Sequence, residues 1–252
     1  MIPLGDDNTG RVLTPYVNYI FILINVLVFI LLQQGGSNIE FTYAFSTVPA
    51  EIISGQDIIT PSEIVSDPLT GQSFRMPGLQ PTPIPVWLTL LTSMFMHGGF
   101  AHIIGNMLYL FIFGDNIENR LGHKRYLVFY LLTGILASLS HVFTTYAIGQ
   151  NPLVPSLGAS GAISGVLGGY LVLFPRNRVH VLLFRFVTTV PAIVALGFWI
   201  LFQIISGLGM LGGEETGVAY AAHLGGFMAG LLLIKLFDKG EGYRKNQKWE
   251  RF

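Results

Sequence analysis

"LGASGAISGVLGGYLVLFPR", residues 157–176, sets two serines among glycines and alanines and then runs apolar to a Pro-Arg stop. From Ser160 to that stop is about fifteen residues, roughly 22 Å of helix against a hydrocarbon core of about 30 Å. If the inner end of such a helix sits at a membrane surface, Ser160 lies several Å below the opposite one. The preceding "AIGQNPLVPSLGA" then dips inward. Irregular backbone at membrane depth is tolerated only where protein buries it or water reaches it, so the stretch predicts a wet cavity beside Ser160.

The rest of the chain supports a bilayer as solvent. Of its 252 residues 51% are hydrophobic and 11% charged, and the mean hydropathy is +0.58; soluble domains carry about 25% charged residues. The expectation is an all-α polytopic membrane protein, one membrane domain over 1–252. Its spans fall at about 16–33, 98–114, 126–147, 160–174, 186–208 and 218–237, with a long polar loop at 34–86 and a basic tail at 238–252. The first apolar run is long enough to span rather than be cleaved as a signal peptide. The absence of cysteine excludes disulfides, thiolate metal sites and a cysteine nucleophile. A net charge of zero gives no basic footprint for nucleic acid.

Lysine and arginine set the expected orientation. With both termini cytoplasmic, the inner segments hold Arg11, Arg120, Lys124, Arg125, Arg176, Arg178, Arg185 and the basic tail, leaving Arg75 outside. The even-numbered spans then run from outside to inside. Ser160 opens the fourth, His223 lies early in the sixth, and His102 and Asn106 fall in the first half of the second. Four polar residues distant in sequence therefore reach similar depth in the outer half of the bilayer, where polar groups mark function. Gly161, Gly165 and Gly168 on the fourth span and Gly226 and Gly230 on the sixth form small-residue seams that let two helix backbones approach. That approach would bring the imidazole of His223 to the hydroxyl of Ser160.

Ser164 lies one turn below Ser160 on the same face, so spacing alone does not separate them. Ser160 is preferred because a helix start offers free N–H groups and the positive dipole end to a developing oxyanion. No Asp or Glu lies at the depth of His223, so the simplest catalytic unit is a dyad: Ser160 as nucleophile, His223 as base. His102 and Asn106, at i and i+4, share a helix face and can donate to the oxyanion. His97 reads as structural, holding the start of the second span by hydrogen bonds. Neither metal nor cofactor is expected. A zinc protease using His97, His102 and His223 lacks H-E-x-x-H and a membrane-depth carboxylate. A transporter, a channel or a non-cleaving membrane binder would use the same buried polar residues differently.

"HGGFAHIIGN" at 97–106, "ENRLG" at 118–122, "GASG" at 158–161 and "AHLGG" at 222–226, in this order, resemble the rhomboid family of intramembrane serine proteases. The resemblance covers residues 87–237 and implies a six-helix bundle. It also implies metal-free cleavage in or next to the transmembrane segment of single-pass membrane proteins. It assigns Ser160 as nucleophile, His223 as base, and His102, Asn106 and the Ser160 N–H as oxyanion hole. Glu118 becomes a structural hydrogen-bonding group, and Gly158 the residue whose backbone shapes the hole. Many members carry Trp-Arg before the first histidine; here Trp87 is followed by Leu88 and Thr89. Phe198, Trp199 and Phe202 of the fifth span read equally as lipid-facing residues or as a substrate gate. The expected setting is a prokaryotic cell membrane with the site opening to the extracytoplasmic side.

Overall fold

A computed structural model describes residues 1–66, 71, 73–211 and 219–238. The tail from 239 onward lies outside the described residues, so its basic anchor is not placed. Strand β1 (Ile2–Asp6) leads into helix α1 (Tyr16–Leu27), which continues as a wider π turn over Val28–Leu32. The segment expected as a long loop holds α2 (Ile39–Ala44), α3 (Pro49–Ser54) and the hairpin of β2 (Glu63–Ser66) with β3 (Ser73–Met76). Its helices follow local chemistry: the Phe41 N–H donates to the Asn38 side chain at the start of α2, and Pro49 and left-handed Gly55 bracket α3. A short turn of helix, α4 (Thr89–Thr92), precedes α5 (Phe100–Leu121), α6 (His123–Ala147) and α7 (Ser160–Leu173). Strands β4 (Arg178–Leu183) and β5 (Phe186–Pro191) separate α7 from α8 (Ala192–Leu211), and α9 (Tyr220–Phe237) closes the described bundle.

Among the described residues, four helices are long and apolar enough to cross a membrane by themselves: α5, α6, Ala192–Gly209 within α8, and α9. The apolar helices Tyr16–Leu32 and Ser160–Leu173 are shorter; α7, with 14 residues, is about 21 Å long.

The all-α expectation is corrected by a three-stranded antiparallel sheet in the order β1-β4-β5. Residues 186–191, read as the start of the fifth span, form β5. An apolar run does not by itself distinguish strand from helix; Val187, Thr188, Thr189 and Val190 are β-branched, and Pro191 fits immediately before a helix. The β4–β5 turn carries Phe184 at φ +54° and 90% exposed. The second span also runs further than expected, to Leu121, because its last two turns bury polar side chains against partners.

Those partners tie the bundle together at the end away from Ser160. Glu118 accepts from the backbone N–H groups of Val17 (2.9 Å) and Asn18 (2.7 Å), two donors that a helix start leaves unpaired, and lies 2.5 Å from His123 Nδ1. Asn18 Nδ2 donates to the Leu110 carbonyl at 2.9 Å, and the Tyr126 hydroxyl donates to Asn18 Oδ1 at 2.7 Å. Nearby Arg11 pairs with Asp115, and Arg120 makes a two-pronged contact with Asp238 at 2.8 and 2.9 Å.

Asp6 reaches into the same region, accepting from the Tyr170 hydroxyl at 2.5 Å and from Asn116 Nδ2 at 2.8 Å. Burial pushes its carboxyl from 3.8 up to about 7, partly opposed by the Tyr170 hydrogen bond and reinforced by the charge of Asp115. The folded state then holds a proton that the unfolded chain releases. Stability from this group is fully present below about pH 3.8 and is lost as pH rises through about 7. Thermal midpoints in detergent should therefore fall between pH 5 and pH 8, and Asp6→Asn should flatten that decline; an equal decline in the variant would remove Asp6 as its source.

Candidate active site

The site lies where α7 and α9, the most extensively packed pair of helices, meet α5 and α8. Glycine makes this approach possible. A Cβ on Gly226 would stand 2.1 Å from the Gly161 carbonyl oxygen, one on Gly230 2.0 Å from that of Gly165, and one on Gly168 2.2 Å from that of Phe227. Any side chain on this seam would occupy backbone. Across it, His223 Nε2 lies 2.8 Å from Ser160 Oγ, within hydrogen-bond reach although the residues are 63 positions apart.

Ser160 is the first residue of α7, so its N–H has no acceptor within the helix. Ser164 is placed differently: it is buried, and its hydroxyl donates to the Ser160 carbonyl at 2.6 Å. The Gly158 N–H is held by the Ser93 carbonyl at 2.9 Å. Gly158 itself adopts φ +122°, a conformation side-chain-bearing residues rarely take. A Cβ there would stand 2.9 Å from His102 Nε2 and 3.5 Å from Ser160 Oγ. The missing side chain keeps open the space between imidazole and hydroxyl.

His102 of α5 borders that space, and Asn106 follows it one turn later on the same helix. The Gly98 N–H points at His102 Nδ1, 3.3 Å away, so a neutral ring carries its proton on Nε2, the nitrogen facing Gly158. Asn106 is 8% exposed, and its Nδ2 is a buried donor with no partner among the described residues. An unpaired buried amide costs free energy unless something else accepts from it.

A cavity of about 20 Å³ touches Ser160 and is lined also by Ser93, Ser138, Ser156 and Gly158. It is large enough for about one water molecule, with several hydroxyls to hold it. Its wall is fixed by the segment before α4: Thr47 and Ser156 exchange backbone hydrogen bonds of 2.9 and 2.8 Å, and the Thr47 hydroxyl donates to Ser93 Oγ at 2.9 Å.

His97 departs from expectation. It is fully buried, yet neither ring nitrogen has a hydrogen-bond partner among the described residues. Its main chain makes the bonds instead: its N–H donates to Gln33 Oε1 at 3.0 Å, and Gln33 Nε2 donates to its carbonyl at 2.9 Å. The ring packs edge-on against His102, centroids 5.1 Å apart, so its contribution is shape. Among the described residues no cluster of three or more His, Asp or Glu is arranged to hold a metal ion.

Sequence reasoning missed Gln203. On α8, it is 7% exposed, and its Oε1 lies 2.8 Å from Nδ1 of His223. The signal was present as one amide inside the apolar run "GFWILFQIISG". Trp199, one turn earlier, and Tyr220 each place a ring 6.3 Å from the His223 ring. The gate reading of Phe198, Trp199 and Phe202 divides here: Phe198 and Phe202 are exposed, whereas Trp199 turns toward His223 and Phe227.

Comparison with known proteins gives a match to the rhomboid domain over residues 85–239. Rhomboid protease GluP of Bacillus subtilis is 33% identical over 217 residues, covering 84% of this chain and 35% of that protein. The mitochondrial Rhomboid protein 1 of Saccharomyces cerevisiae is 35% identical over 152 residues, 58% of this chain and 40% of its own length. Putative rhomboid protease YdcA of Bacillus subtilis is 31% identical over 149 residues, 58% of this chain and 65% of its own. The chain thus spans about a third to two fifths of the first two relatives. Bacterial and mitochondrial proteins both occur among the matches.

Proposed function

The chain belongs to the rhomboid family of integral membrane proteins, and from that premise we propose that it is an intramembrane serine endopeptidase. It cleaves single-pass membrane proteins in or beside their transmembrane segments. The observation that carries this reading is the 2.8 Å separation of Ser160 Oγ and His223 Nε2 at the head of α7, beside a space that His102 borders across Gly158. Protease-named relatives support it.

In the proposed reaction His223 Nε2 takes the Ser160 proton as Oγ bonds to the scissile carbonyl carbon, and the carbonyl electron pair moves onto oxygen. The oxyanion accepts from the Ser160 N–H, His102 Nε2–H and Asn106 Nδ2. On collapse the carbon–nitrogen bond breaks, and His223 returns the proton to the departing amine. Water, activated by the same imidazole, then releases the acyl group. The small cavity beside Ser160 is a reservoir for that water, which the apolar surroundings otherwise exclude. Neither metal nor cofactor takes part.

Six membrane crossings, cytoplasmic termini and an extracytoplasmic opening in a cell membrane complete the proposal. It is supported by the gathering of Arg11, Arg120 and Arg178 at the end of the bundle away from Ser160. Glu118 serves at that end as the structural link between α1, α5 and α6.

The test is a panel of single-span proteins reconstituted with the full chain: cleavage that disappears in Ser160→Ala supports the reading, and identical processing by the variant refutes it. On cleaved substrates, Asn106→Ala should lower kcat roughly 10²-fold to 10³-fold, as losing one oxyanion donor does elsewhere. An unchanged rate would take Asn106 out of the hole.

A further inference from the structure

We infer that Gln203 is a positioning residue that selects the working tautomer of the catalytic histidine, an inference that rests on the Ser160–His223 reading. Between Gly197 and Gly209, all within the described residues, Gln203 is the one buried side chain of α8. Phe198, Leu201, Phe202, Ile204, Ile205 and Leu208 around it are exposed and apolar. Over this stretch α8 thus turns an amide into the protein beside Trp199 while leaving those six apolar side chains outside. A buried amide in an apolar setting is retained at a cost unless its polar atoms are bonded, and the bond it makes is to His223.

The chemistry of that bond is directional. A neutral imidazole has a single N–H, on either Nδ1 or Nε2. To take the Ser160 proton, Nε2 must present its lone pair, so the ring's own proton must sit on Nδ1. Gln203 Oε1, 2.8 Å from Nδ1, can only accept. It therefore favours the tautomer with Nδ1–H and leaves Nε2 free toward Ser160 Oγ, also 2.8 Å away. Once the proton has moved, both N–H groups of the imidazolium still have acceptors. The amide does without charge what a carboxylate does in Ser-His-Asp sites and an asparagine does in Cys-His-Asn sites. Trp199 and Tyr220 set the ring's plane from two sides, and Gln203 sets its protonation. Because the acceptor stands on α8 and the base on α9, the base is correctly protonated only while α8 is docked at this point.

The experiment compares Gln203→Met, which keeps length and apolar bulk without an acceptor, with Gln203→Glu, which keeps an acceptor. The full chain is used in proteoliposomes, with a substrate whose cleavage depends on Ser160. Gln203→Met should lower kcat roughly 10-fold to 10²-fold, part of what a general base contributes, with KM nearly unchanged. Gln203→Glu should recover most of the loss. In protein carrying ¹⁵N-labelled histidine, the ring of His223 should report the Nδ1–H tautomer in wild type and a mixture in Gln203→Met. Wild-type kcat in Gln203→Met, equal losses in both variants, or an unchanged tautomer would overturn the inference. Failure of the protease reading is separable: Ser160→Ala would then process substrate like wild type, while the nitrogen signals still report on Gln203.

Discussion

Ser160→Ala and His223→Ala should each bring peptide-bond cleavage to the same residual level under the proposed reading, with the double variant falling no further. In the proposed reaction nucleophile and base act as one unit, so removing either abolishes the same step; in other serine proteases such losses are on the order of 10⁶-fold and are not additive. The geometry demands this outcome, because the hydroxyl of Ser160 lies within reach of His223 Nε2 at 2.8 Å, and Ser164 is directed away into its own helix. Initial rates on a reconstituted single-span substrate measure it. Substantial activity in His223→Ala would mean that another group takes the serine proton, and the pairing would fail.

Gly230→Val is expected to produce the largest effect away from the reacting atoms. Even a Cβ at 230 would stand 2.0 Å from the Gly165 carbonyl oxygen and 2.9 Å from its Cα, both parts of a rigid helix backbone. Helices α7 and α9 must separate to admit the side chain. Overpacking of this kind destabilises by about 3 kcal/mol, and the separation also carries His223 away from Ser160. Activity should fall more than the loss of folded protein explains. Gly197→Ala supplies the control, since a Cβ there meets nothing within 4 Å and should leave thermal midpoint and rate nearly unchanged. Equal behaviour of the two variants would show that the glycine seam is not what holds the site closed.

The parts of this protein that were legible in its sequence are those governed by strong one-dimensional rules. Apolar length marked the helices, and the cost of burying polar groups singled out Ser160 and His223, which the fold brings to 2.8 Å, and His102, which faces them across Gly158. Glycine spacing on two helices then supplied the reason for their meeting at Gly168, Gly226 and Gly230, whereas Gly161 and Gly165 lend their carbonyl groups to that seam and leave side-chain room for Ala137 and Thr133 of α6.

What escaped depends on partners that no local pattern encodes. Residues 178–191 pair as β4 and β5 because β1, some 170 positions earlier, supplies a third strand. His97 looked like a hydrogen-bonding cap because histidine can be one, yet Gln33 meets its backbone and leaves the ring to pack. Gln203 is the one amide in the apolar run of α8, with no histidine one turn away as Asn106 has in His102, so only its place against His223 in the fold marks it.

In the proposed reaction Ser160, activated by His223, is the nucleophile. Labelling with a fluorophosphonate serine-hydrolase probe, with the modified residue located by mass spectrometry, tests it most directly. A single adduct on Ser160 is expected in wild type and none in Ser160→Ala or His223→Ala. An adduct that persists in Ser160→Ala, on Ser164 or elsewhere, would contradict it.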